Sequence, residues 1–197
     1  SIRKCGREDV YNITVEGIHN FAVSAGVIIK NCFWADPEMM RYASDPASDV
    51  HRDQAADIFM CDPEEAKAKP IRHVGKNQFV FPILYGSYYR ACAKNIWASL
   101  PGLKVGDVPA LKHLKANGVK GYEAFADHMK GVEARFMERF PVFAKKKEEW
   151  WDAYAKRGHF HISSGFVIRW GSEGVCTPNN LLNDPIQGPG FHCLLKS

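Results

Sequence analysis

The spacing of apolar and polar positions changes period once along the chain. Residues 8–31 alternate with a period of two: Val10, Ile13 and Val15, then Phe21, Val23 and Val27 to Ile29, punctuated by Gly17 and Gly26. That pattern predicts strands and turns, with two antiparallel strands in Val15–Cys32, VEGIHNFAVSAGVIIKNC. From Asp36 onward the period becomes helical. Asp36-Pro37-Glu38 offers an N-cap followed by proline at the first helical position, Asp49 caps a second helix, VHRDQAADIFM, and Asp62-Pro63-Glu64-Glu65 opens another turn. Residues 71–97 predict a long apolar and aromatic helical stretch interrupted by Pro82 and Gly86, and Pro101-Gly102 predicts a loop. Helices over 107–117 and 122–139 follow, then a Trp-rich helix from Pro141 through Ala155, which Gly158 ends. HFHISSGFVIRW predicts a β-hairpin around Ser-Ser-Gly, residues 178–185 an extended segment, and 187–196 a final helix. The fold class expected is α+β, mostly helical, with a short β segment over 1–31 and a helical body over 32–197.

Composition sharpens this picture without settling it. Apolar residues make up 46% of the 197, enough for an ordinary core, and the net charge of +4 is compatible with a nucleic-acid partner without requiring one. The six cysteines (5, 32, 61, 92, 176 and 193) form no CxxC pair, so reduced thiols are expected rather than a disulfide framework or a zinc site. No apolar run is long enough to cross a membrane, and no secretory signal is seen. The chain begins on Ser1 and breaks off in LLKS within an apolar helical pattern, so both ends look cut.

The period switch falls at Asn31-Cys32. An asparagine amide can attack its own backbone carbonyl and cleave the chain after itself, and a following cysteine can receive an acyl group as a thioester. Those are the two late steps of protein splicing. VYNITVEGIHNFAVSAGVIIKNC, residues 10–32, resembles the C-terminal end of an intein, with its VYxxxVE…HNFxxxxG…NC layout. The resemblance implies that His19 assists proton transfer, Asn31 cyclises and Cys32 is the branch nucleophile, with Lys30 standing where most inteins carry histidine. It also implies an N-terminal intein and extein portion as partner.

A second constellation is IRHVGKNQFVFPILYG, residues 71–86. Arg72 and Lys76 stand four apart and share a helix face. Arginine offers a planar fork for phosphate oxygens and lysine a point charge. Phe81 and Tyr85 continue as an aromatic stripe suited to a base or sugar. On spacing alone, a solvated basic end on a buried amphipathic helix is the simpler reading.

This stretch resembles the O-helix of family A DNA polymerases, R-x3-K-x3-F-x3-Y-G. The resemblance implies that Arg72 and Lys76 bind the triphosphate of an incoming dNTP, Phe81 packs on its sugar, Tyr85 stacks by the templating position and Gly86 forms the bend after it. Lys76 to Phe81 is one residue longer than the family pattern, and Pro82 follows at once. A π-bulge over Gln78–Phe81 absorbs one extra residue and restores the register; an unbroken α-helix would put Asn77 in the lysine position. DVHRDQAADIF resembles the DIHxxxA segment, which puts His51 near the phosphates. HFHISSGFVIRWG resembles the family's β-hairpin, which puts Arg169 near primer or template. NNLLNDPIQGPGFHCLL resembles NxPxQG, which implies that Asn183 and Gln187 probe the minor groove of primer–template DNA. FVFPxxYGSYY and FHCLL look more like phage polymerases, and the implied setting is the cytoplasm of a bacterial or phage-infected cell, with no membrane partner.

Family A enzymes add nucleotides with Mg2+ held by two aspartates. The resemblance implies that both ligands lie outside this chain, and Asp36, Asp45, Asp49 and Asp53 read as caps and helix-face charges, so the chain alone is expected to hold no catalytic metal and to be inactive as a polymerase. Residues 145–149, KKKEE, read as a solvated face; Phe143, Trp150, Trp151 and Tyr154 as core; and His159 and His161 as a pair with no third ligand. Two other readings stand beside this one: the C-terminal half of a split intein with its extein, and a non-catalytic nucleic-acid-binding module.

Overall fold

The computed structural model describes residues 20–22, 28–30, 36–155, 157–161, 167–169, 177 and 182. These residues are mostly helical, with three separate two-stranded antiparallel ladders, an α+β arrangement. Strands β1 (Asn20–Ala22) and β2 (Ile28–Lys30) pair with Asn20 opposite Lys30. The junction at 31–35, including Asn31 and Cys32, lies outside the described residues, as do His19 and residues 183–197.

The aspartates start the helices as the sequence predicts. Asp36 caps α1 (Pro37–Ser44), Asp49 caps α2 (Val50–Phe59), and Asp62 caps α3 (Pro63–Ala66) in a full capping box with Glu65. Asp36 does more than cap α1. One carboxylate oxygen accepts the N–H groups of Glu38 and Met39 at 3.0 and 3.3 Å; the other accepts those of Val142 and Phe143, at 2.9 and 3.0 Å. One fully buried side chain therefore closes the N-termini of two helices a hundred residues apart, α1 and α9 (Pro141–Ala155).

The long apolar stretch resolves into a rod, Lys69–Leu84, and a separate helix α6 (Tyr89–Ser99). The rod consists of α4 (Lys69–Val74), a π-helical turn (Gly75–Val80) and α5 (Phe81–Leu84). The widening begins at Gly75, three residues earlier than the expected bulge over Gln78–Phe81. Pro82, which has no N–H to give and whose ring would crowd the carbonyl of Gln78, follows directly on the widened turn. At the far end Gly86 takes φ 91°, a conformation that a side chain disfavours, and turns the chain towards α6.

Three other expectations are corrected. Leu100–Gly102 winds into a 3-10 turn rather than a loop. The helix expected over 107–117 starts at Ala110 (α7, Ala110–Ala116), because a small hairpin precedes it: β3 (Lys104–Val105) and β4 (Val108–Pro109) join through Gly106-Asp107, with Gly106 at φ 56°. Leu182, within the segment expected to be extended, is helical and buried. Helices α8 (Tyr122–Arg139) and α9 keep the expected bounds, and β5 (His159–His161) pairs with β6 (Val167–Arg169).

The core gathers around Phe136 of α8. Its ring meets Phe79 of the π turn, Phe140 and Phe143 edge-on at 5.7, 4.7 and 6.3 Å between centroids. All four rings are buried, each contributing roughly 1.5–3 kcal/mol of transfer free energy. Helix α6 adds Cys92, Ala93 and Ile96 to the same core. Of the aromatics on α9 expected to be core, Phe143 is fully buried and Trp150 packs against the core, but Trp151 is exposed. Lys147 departs from the solvated face expected of it. It is partly buried, donates to the Ser87 carbonyl at 3.3 Å, and burial lowers its pKa despite the opposing pull of Glu133. Glu133 in turn accepts the Tyr89 N–H at 3.1 Å, so this pair braces the turn between the rod and α6. No helix among the described residues is long and apolar enough to cross a membrane.

Candidate functional site

The site is built where the rod crosses the start of α2. In an α-helix five residues advance by about 500°, roughly 140° off a common face. In a π turn the hydrogen bond runs from residue i to i+5, and the amide of Phe81 donates to the carbonyl of Lys76. Five residues therefore make one turn here. Arg72 to Lys76 is four residues of mainly α geometry, Lys76 to Phe81 five across the π turn, and Phe81 to Tyr85 four again. The result is a single file. Lys76 Nζ lies 5.3 Å from the Phe81 ring centroid, and the Phe81 and Tyr85 rings are 6.3 Å apart. Asn77 points elsewhere, its amide 3.0 Å from the ring of His73. Phe81 is 36% exposed, a large ring presented to solvent beside the Lys76 ammonium.

Helix α2 contributes the facing wall. His51 stands edge-on to Phe81 at 5.5 Å. Burial, then the charges of Arg72 and Lys76, hold its imidazole below the ordinary histidine value against the pull of Asp49, so the ring is neutral at physiological pH. Its Nδ1 is buried without a partner among the described residues, an unmet hydrogen bond of the kind that collects at binding sites. Arg72 presents Nε and Nη2 to the two carboxylate oxygens of Asp49 at 2.6 and 3.1 Å. Burial raises the Asp49 carboxyl, but the Arg72 fork and the N–H groups of Arg52 and His51 outweigh it and leave the acid below its usual range. Lys76 makes no ion pair among the described residues.

Two residues that hold this arrangement, Gly75 and Asp49, were not expected at the site. A Cβ on Gly75 would lie 2.5 Å from the His51 carbonyl oxygen and 2.9 Å from the Ala55 Cβ, so the rod approaches α2 this closely only because the residue is glycine. The isolated glycine in an otherwise helical run was the available signal. Asp49 was legible as a cap, but its pairing with Arg72 joins residues 23 apart and follows from packing.

The expected site residues thus divide. His51, Arg72, Lys76, Phe81 and Tyr85 come together, with Gly86 at the turn beyond them. Arg169 is exposed on β6 opposite His159, with no described contact to that group. His19, Asn31, Cys32, Asn183 and Gln187 lie outside the described residues, and of Lys30 only the strand is described.

The aspartates behave as caps and ion pairs. Asp45 accepts from Ala47 and Ser48, and Asp53 from Tyr42 and Arg52. Among the described residues no three histidine, cysteine, aspartate or glutamate side chains gather as metal ligands, and no metal-dependent step is assigned to them. Cys61 and Cys92 are free thiols, each pushed up to about 11 chiefly by burial and so protonated rather than nucleophilic. No family model matches the chain, and no curated protein matches it significantly.

Proposed function

We propose that the site binds the triphosphate and sugar of an incoming dNTP, and that the chain is the fingers and partial palm of a family A DNA polymerase, residues 32–197, preceded by the C-terminal segment of an intein. The observation that carries the polymerase reading is the file of Arg72, Lys76, Phe81 and Tyr85 facing His51. The sequence pattern is one residue too long for that file, and the π turn takes up the excess. A guanidinium fork and an ammonium suit phosphate oxygens, the neutral imidazole can donate to one without adding charge, and two rings with exposed surface suit a sugar and a base. Arg169, Asn183 and Gln187 are assigned to primer–template DNA by the same resemblance.

Support for the splicing half is narrower. It is the antiparallel ladder of β1 and β2, which pairs Asn20 with Lys30, the chain neighbours of His19 and Asn31. In this reading Asn31 cyclises and Cys32 carries the branch, so that the intein leaves and the polymerase remains.

Equilibrium titration of the full chain with a dNTP tests the site. Arg72→Ala is expected to weaken dNTP binding tenfold or more, since a charged hydrogen-bonding partner contributes about 1.5–3 kcal/mol. Unchanged dNTP affinity, with duplex DNA binding that ignores dNTPs, would instead favour a nucleic-acid-binding module.

A further inference from the structure

We propose that Asp49 is a built-in occupant of the anion site: without ligand its carboxylate fills the Arg72 fork, and a triphosphate binds by displacing it. The inference rests on the reading of this site as a triphosphate site. Asp49 Oδ1 accepts the N–H groups of His51 and Arg52 at 3.0 and 3.1 Å and the Arg72 Nη2–H at 3.1 Å, while Oδ2 accepts the Arg72 Nε–H at 2.6 Å. Two main-chain donors at the start of a ten-residue helix plus a bidentate guanidinium form the set of donors that a phosphate oxygen pair would take.

The surroundings point the same way. The Arg72 and Asp49 side chains are 38% and 26% exposed, so a dissolved anion can exchange with the carboxylate without opening the core. Arg52 is engaged by Asp53 at 2.7 Å and does not take the place of Arg72 on Asp49. Lys76, which makes no ion pair among the described residues, stands one helical turn after Arg72 and is not satisfied by Asp49. Asp49 thus lowers affinity in two ways, by occupying the fork and by repelling a second anion nearby. In exchange it keeps Arg72 ordered and its charge compensated between binding events.

The test is calorimetric titration of the full chain with inorganic tripolyphosphate and with dATP at low salt. Wild type is compared with Asp49→Asn, Asp49→Ser, Arg72→Ala and the Asp49→Asn/Arg72→Ala double variant. Asparagine and serine both keep the helix cap, so these variants remove the competitor and not the fold, which thermal melts of each will show. A fork that is competent about one tenth of the time binds about tenfold more weakly than its intrinsic affinity. Asp49→Asn and Asp49→Ser are therefore expected to bind both probes about tenfold more tightly than wild type, and the double variant to lose that gain. If wild type binds and neither variant binds more tightly, or if the gain survives without Arg72, the competitor role of Asp49 is wrong while the triphosphate reading stands. If neither wild type nor the Asp49 variants bind tripolyphosphate or dATP, the reading of the site itself fails.

Discussion

Gly75→Ala is expected to destabilise the fold by about 2 kcal/mol, within the range of overpacked cores, and to weaken dNTP binding as well. The direction is opposite to what the helix alone implies, since alanine is the better helix former by about 1 kcal/mol. Contact geometry decides between the two. The added methyl would stand 2.5 Å from the His51 carbonyl oxygen, 2.9 Å from the Ala55 Cβ and 3.0 Å from the Ala55 nitrogen. Two of those three neighbours are backbone atoms of α2, which cannot rotate away as a side chain tip can. The rod must instead move off α2, and Phe79, whose ring is locked against Phe136, resists that movement from the other side. The His51–Phe81 edge contact lies on the same seam and would open with it. Urea unfolding followed by far-ultraviolet circular dichroism gives the stability change. A midpoint equal to or above wild type would mean that the helices are not held at this distance in solution.

The second large effect is expected at Asp36. Asp36→Ala should cost about 2–4 kcal/mol, the sum of two helix caps at about 1–2 kcal/mol each, with the upper end set by leaving buried N–H groups without acceptors. Its carboxylate is fully buried and receives four N–H groups from α1 and α9. The N-terminal ends of two helices, each the positive end of its dipole, meet at this one side chain. Asp36→Asn is expected to recover about half of the loss. Its amide oxygen serves one helix, but its NH2 group faces N–H donors of the other. Thermal melts of the three proteins give the order wild type, Asn, Ala. Equal stability of Asn and wild type would show that the charge contributes nothing.

How much of this was legible in the sequence depends on the range of the interaction. The caps at Asp36, Asp49 and Asp62 were, because capping is decided within three residues. So was the excess residue between Lys76 and Phe81, because the resembled pattern R-x3-K-x3-F-x3-Y-G sets the spacing from which it departs. Its location was displaced from 78–81 to 75–80, because the widening starts where the rod presses on α2 at Gly75, a contact with residues twenty and twenty-four positions away. The second role of Asp36, the ion pair of Asp49 with Arg72 and the burial of Lys147 beside Ser87 have the same origin in packing between distant segments. The β3–β4 hairpin escaped for a different reason: each strand has two residues, too few to show a period.

The site hypothesis turns on which residue follows Arg72 along the binding face. Titration of the full chain with a dNTP, comparing Lys76→Ala with Asn77→Ala, asks this directly. With the π turn in place Lys76 lies over Phe81 and Asn77 beside His73. Lys76→Ala is then expected to weaken binding about tenfold, as loss of a charged contact does, and Asn77→Ala to leave it unchanged. The opposite pattern, with Asn77 needed and Lys76 dispensable, would mean that the rod binds its ligand as an unbroken α-helix and would contradict the account.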